Sequence, residues 1–142
     1  MFIVNVEGAI YRMGKWLIIK RSDQEEHAAG ELSLVGGKVE QEGNTANILE
    51  KTVIREIMEE VGVKVSTDVI YVHSTSFIAT GGETVINTVF LCNYESGEAF
   101  PKSPDEVAAV EWLATEDVCQ HPDAPAYLID SIQLASEKLT KI

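Results

Sequence analysis

The chain has 142 residues, of which 45% are hydrophobic, a size and composition that suit one folded domain, residues 1–142, and exclude disorder. Its 23 acidic residues outweigh 11 basic ones, and the formal net charge of −12 argues against a nucleic-acid polymer as partner, because such binding needs a basic footprint. A small anionic ligand stays compatible with that charge if a metal ion reverses its sign locally.

In chain order, FIVNVEGAIY and KWLIIKR (Lys15 to Arg21) read as two strands, close enough for a hairpin through Met13 and Gly14. SDQEEHAAGE is a polar loop, and LSLV is a short strand that runs into Gly36 and Gly37. From Asn44 or Thr45 to Val61 the pattern turns helical, with either residue able to cap the start and Gly62 able to end it. DVIYVHSTSFIA and ETVINTVFLCNY are strands joined by TGGE, whose two glycines permit a tight hairpin. After the loop ESGEAFPKSPDE comes a last strand, VAAVEWL, then a helical turn capped by Thr115. In the tail, Leu128, Ile132, Ala135 and Leu139 fall on one stripe, as an amphipathic helix requires. Strands that precede, separate and follow helices predict an α+β or α/β sandwich, a mixed sheet covered by helices.

No apolar run is long enough to span a bilayer, so no membrane partner is expected, and the first residues lack the pattern of a signal peptide. Both features favour the cytoplasm. Cys92 and Cys119 have no metal-type spacing and read as two reduced thiols. Trp16 and Trp112 read as core or interface residues, and His27, His73 and His121 have no partners visible in the sequence.

The segment REIMEEVGV, Arg55 to Val63, crowds three glutamates into little more than a helical turn, where like charges repel. At about 100° per residue, Glu56, Glu59 and Glu60 share roughly a third of the circumference, beside the apolar face of Val53, Ile54, Ile57 and Val61. An acidic run alone is more often a solvated face, here with Arg55 paired to Glu59. Carboxylates at the margin of a core also make the arrangement that a hard cation needs. With no His or Cys nearby, the donors suit Mg²⁺ or Mn²⁺. Just upstream, the paired glycines of SLVGGKVE let a backbone carbonyl approach a metal or phosphate.

Together, GGKVE and REIMEEVGV resemble the signature of the Nudix, or MutT-type, hydrolases. Arg55, Glu56, Ile57, Glu59, Glu60, Gly62 and Val63 fill its second half, and Gly37 fits its opening. The stretch from Lys38 to Ile54 is longer than the signature's spacer, and Asn47 stands where its first glutamate belongs. In the family that glutamate pairs with the arginine, a place that Glu40 or Glu42 can take here. The resemblance covers roughly residues 2–120. It implies a Nudix-type α/β/α sandwich with a mixed central sheet and a loop-helix-loop catalytic motif.

The resemblance also implies a reaction, the Mg²⁺-dependent attack of water on a nucleoside diphosphate linked to another group. It assigns Glu56, Glu59 and Glu60, with the carbonyl of Gly36, as metal ligands, and Arg55 as the residue that orients a catalytic glutamate, Glu59. Glu106 corresponds to a downstream ligand or general base, with Glu111 as the alternative. Arg21 and Lys38 correspond to contacts with substrate phosphates, although solvated strand-end charges fit them equally well. A nucleoside triphosphate, an oxidised nucleotide, ADP-ribose and a nucleotide sugar all stay open as substrates, and family members often form homodimers. A non-catalytic, nucleotide-sensing module of the same fold and a protein-interaction domain with an acidic surface are the competing readings. Retention of the ligand set favours the enzyme.

Overall fold

A computed structural model describes residues 1–25 and 28–141; His27 lies outside the described residues. The strands are β1 (Phe2–Arg12), β2 (Lys15–Arg21), β3 (Leu32–Ser33), β4 (Val35–Lys38), β5 (Lys64–Val65), β6 (Ile70–Ile78), β7 (Thr84–Ser96) and β8 (Val107–Leu113). The helices are α1 (Ile48–Val61), α2 (Thr115–Gln120) and α3 (Ala126–Thr140). β1 runs parallel to β7, and every other pairing is antiparallel, so the sheet is mixed as the sequence predicts.

Helices cover both faces. Val6, Ile10, Leu17, Ile19, Phe90 and Cys92 pack with Val53, Ile57 and Val61 of α1. On the opposite face, Ala9, Trp16, Ile18, Val89 and Leu91 pack with Val118 of α2 and with Leu128, Ile132 and Ala135 of α3. Neighbouring residues of β1, β2 and β7 therefore serve opposite cores, which is why these strands read as continuous apolar runs rather than alternating ones. Trp16 is buried, Trp112 is half-buried with Tyr94 edge-on against it, and both cysteines are free thiols.

β1 and β2 pair only near their hairpin, Tyr11 with Trp16 and Arg12 with Lys15. Beyond that point they diverge. The segment from Leu32 to Lys38 fills the wedge, pairing first with β2 and then with Asn5 to Gly8 of β1. The single LSLV strand expected from the sequence is therefore two strands, and the glycine pair lies within β4 rather than beyond a strand end.

The helix caps also differ from expectation. α1 starts at Ile48 after Asn47, which adopts a left-handed conformation without a side-chain cap, while the Thr45 hydroxyl donates to the Glu42 carbonyl. α2 has no side-chain cap either: Ala114 holds the cap position, and Thr115, the first helical residue, accepts the Trp16 indole N–H on its Oγ1 at 2.9 Å. Gly62 ends α1 in a left-handed turn, as expected. β5 has only two residues, too few to leave a pattern in the sequence.

Gly36 is where the wedge tolerates least. A Cβ there would collide with the Val6 carbonyl oxygen, a backbone atom that cannot step aside. Gly36→Ala is expected to cost about 1–3 kcal/mol or more, a scale typical of overpacking. Thermal denaturation checks this, and a wild-type melting temperature in the variant would contradict the pairing of Gly36 with Glu7 and Gly37 with Val6.

Candidate active site

The mouth of the wedge is a cleft of about 420 Å³ lined by β1, β4, the end of β2, α1 and the loop before β8. Its polar residues include Glu7, Arg21, Lys38, Glu56, Glu60 and Glu106.

Three features deliver the carboxylates to it. The helical repeat puts Glu56 and Glu60 on one side of α1, on the flank of its buried stripe. Gly37 then admits Glu56: a Cβ at Gly37 would lie 2.5 Å from the Glu56 carboxyl carbon, so the carboxylate rests against bare backbone. Finally, the loop after β7 closes over the end of α1. Its Phe100 N–H donates to the Val61 carbonyl, and its Lys102 and Ser103 N–H groups donate to the Glu60 carbonyl. The same loop carries Glu106, whose own carbonyl accepts the Ser22 N–H beyond β2.

As a result, carboxylate oxygens of Glu56, Glu60 and Glu106 lie within 4.8 Å of one another. Glu60 is only 4% exposed, and its Oε2 has no hydrogen-bond partner. Burial, with Glu56 and Glu106 beside it, pushes its pKa up to about 10. Burial raises Glu106 as well, with Glu56, Glu25 and Glu59 adding to the effect. An orphaned carboxylate oxygen facing two further carboxylates is the donor set of a hard divalent cation, so these residues fit such an ion.

Glu59 is placed differently. Its side chain is 56% exposed and pairs with Arg55 at 3.3 Å, outside the group of three. Arg55 also reaches Glu56 at 3.2 Å. Desolvation would lower the Arg55 pKa, but Glu56, Glu59 and Glu40 more than offset this and leave it raised. Glu40 is thus the loop carboxylate whose field reaches Arg55. Gly36 lines the cleft in register with Glu7. Arg21 pairs with Glu25 at 3.3 Å, and Lys38 is exposed at the cleft edge. Glu111 is exposed on β8, in register with Ile18, and is not among the cleft residues.

Sequence reasoning missed Asn5, Glu7 and Asn87. Asn5 Nδ2 donates to Asn87 Oδ1 at 2.8 Å, and Asn87 Nδ2 donates to Glu7 Oε1 at 2.7 Å. Burial raises the Glu7 pKa, against the opposing effects of the Asn87 bond and of Arg21. The available signal was a pair of polar residues two apart in the otherwise apolar FIVNVEGAIY. His73, which showed no partner in sequence, shares a 3.0 Å hydrogen bond with Ser131.

A family model for the NUDIX domain matches residues 1–133, and the chain belongs to that family. The fold has solved counterparts. It is similar to a MutT Nudix hydrolase from Burkholderia pseudomallei, with 28% identity, a TM-score of 0.79, and coverage of 94% of this chain and 98% of that one. It is similar to the E. coli ORF135 protein, with 27% identity, a TM-score of 0.71, and coverage of 98% and 91%. A MutT protein from Methanosarcina mazei Go1 shares the fold at 24% identity and a TM-score of 0.79, with coverage of 97% and 95%. No curated protein matches the sequence. The protein is therefore a Nudix hydrolase, of the family that cleaves nucleoside diphosphate-linked substrates and generally uses divalent metals.

The carboxylate cluster sets the sign of the pH dependence. Between the ordinary carboxylate value of 4.5 and about 10, folded metal-free protein keeps a proton on Glu60 that the unfolded chain has released. Its stability therefore falls as pH rises through that window. The Glu7 and Glu106 shifts act in the same direction. Glu60→Gln should flatten the profile and melt above wild type at pH 8 in chelator. Calorimetry that finds wild type gaining stability between pH 5 and 8 would contradict the burial of an uncompensated carboxyl.

Proposed function

We propose that this protein is a Mg²⁺-dependent pyrophosphohydrolase, with Mn²⁺ able to substitute, acting on a nucleoside diphosphate linked to a further group. The observation that carries the reading is the convergence of Glu56, Glu60 and Glu106 around an unpartnered, buried carboxylate oxygen. Such a set is costly for a protein that holds no cation, because burial penalises the Glu60 charge and no donor satisfies its Oε2.

In this reading Glu56, Glu60 and Glu106 hold the cation, joined by the Gly36 carbonyl. When bound, the ion neutralises phosphate charge and favours ionisation of the attacking water. Glu59, on the exposed flank and near enough to Glu106 to raise its pKa, is the group that takes the proton from the attacking water. Arg55 sits between Glu56 and Glu59 and orients both, which makes it a positioning residue. Arg21 and Lys38 line the cleft and offer positive charge to the phosphates of an anionic substrate.

The acidic balance of the chain supports a small-molecule nucleotide as the substrate rather than a nucleic-acid polymer. Among the described residues no helix is long and apolar enough to cross a membrane, and a single domain acting in the cytoplasm, alone or as a homodimer, completes the proposal.

Steady-state assays on nucleoside triphosphates, an oxidised nucleotide, ADP-ribose and nucleotide sugars test it. Glu56→Gln, Glu60→Gln and Glu59→Gln should each lower kcat/KM by roughly 10²-fold or more at saturating Mg²⁺, the scale of metal and acid–base contributions. Wild-type turnover in Glu56→Gln or Glu60→Gln would sink the metal-site reading. Tight binding of a nucleotide with no turnover on any substrate would instead identify a sensing module.

A further inference from the structure

One polar device in the cleft, the chain Asn5–Asn87–Glu7, lies outside the group of three carboxylates. Along β1 the side chains alternate: Val6 and Ile10 face the α1 core, and a Cβ at Gly8 would meet Val53 and Ile57 of α1. Asn5 and Glu7 belong to the other set, with Ala9, which packs in the α2–α3 core. Glu7 therefore reaches the cleft from the opposite side of the sheet to Glu56. It can do so because β1 and β2 have diverged there.

The hydrogen bonds give this device a direction. Asn5 donates to Asn87, and Asn87 donates to Glu7 Oε1. The chain ends on an acceptor: Asn87 takes Glu7 Oε1, and the Glu7 carboxyl lines the cleft. A carboxyl held this way is a poor neighbour for a phosphate, since like charges repel and neither group supplies a donor. It suits a ligand group that offers N–H or O–H.

We propose that Glu7 is a specificity-determining residue that accepts a hydrogen bond from the nucleoside end of the substrate, in the first place from an exocyclic amino group of the base. The proposal rests on the pyrophosphohydrolase reading for the identity of the ligand. A substrate would then span the sheet through the wedge, with phosphates toward α1 and base toward the α3 side. A base that presents a carbonyl oxygen at the same place leaves two acceptors facing each other, and that mismatch is the source of discrimination. A ribose hydroxyl is the other donor that a nucleoside can offer.

Paired substrates with the same phosphate chain test this: cytidine against uridine triphosphate, and adenosine against inosine triphosphate. In each pair one amino group is exchanged for oxygen. Wild type should favour the amino member of at least one pair by about tenfold or more in kcat/KM, the scale of one unmade hydrogen bond. Glu7→Gln keeps an oxygen for Asn87 and places an NH₂ group where Oε2 stood, so it exchanges acceptor for donor. That variant should erase or reverse the preference, with a melting temperature at or above that of wild type. Asn87→Ser, which frees Glu7, should weaken the preference in the same direction. Deoxycytidine triphosphate separates the sources: if Glu7→Gln abolishes a ribose-over-deoxyribose preference and leaves the base ratio alone, the partner is the sugar hydroxyl and the base assignment falls. Equal changes for both members of each pair, or none, would overturn the proposal. If wild type hydrolyses no nucleotide, the enzyme reading fails by itself, and the same ratios measured as dissociation constants decide the role of Glu7. Binding of no nucleotide at all would overturn both.

Discussion

The site depends on an electrostatic debt: Glu60 is buried with an oxygen that no protein donor satisfies, beside Glu56 and within reach of Glu106. Taking a carboxylate out of water without a partner is among the more costly things a fold can do. In the metal-free protein a raised pKa relieves the cost by keeping a proton on the group. A divalent cation would relieve it without that proton, so metal affinity and pH would be coupled through one side chain.

Much of the fold serves to place that side chain. Val53, Ile57 and Val61 anchor α1 on the sheet, and the helical repeat then leaves Glu56 and Glu60 no direction but the rim of the core. Gly37 clears room for Glu56, and the loop from Gly97 to Glu106 binds the last carbonyls of α1 while delivering a third carboxylate. The divergence of β1 from β2 supplies the cleft. Helix, glycine pair and loop are thus parts of one arrangement, although they are distant in the chain.

The acidic helix is legible in the sequence because both of its signals are local: a 3.6-residue apolar repeat and the spacing of Arg55, Glu56, Glu59 and Glu60. Which glutamate is buried is not legible. Spacing treats Glu59 and Glu60 alike, and only packing against the loop before β8 separates the buried one from the exposed one. The threonine caps fail for a related reason. Thr115 meets the Trp16 indole, 99 positions away, and no local pattern encodes that. The split of Leu32 to Lys38 into two strands is hidden because register depends on two different partners. Glu7 shows the reverse case, in which an acidic residue inside an apolar strand is visible but its meaning needs Asn87 from a strand 80 positions distant.

In the proposed site Glu56, Glu60 and Glu106 together hold one divalent cation. Anomalous diffraction from crystals soaked in Mn²⁺ addresses it most directly. A single strong peak is expected at coordination distance, about 2.0–2.3 Å, from carboxylate oxygens of all three residues, and it should be lost in Glu60→Gln crystals. A peak elsewhere on the acidic surface, with the three carboxylates unmoved and Glu60 still without a partner, would contradict it.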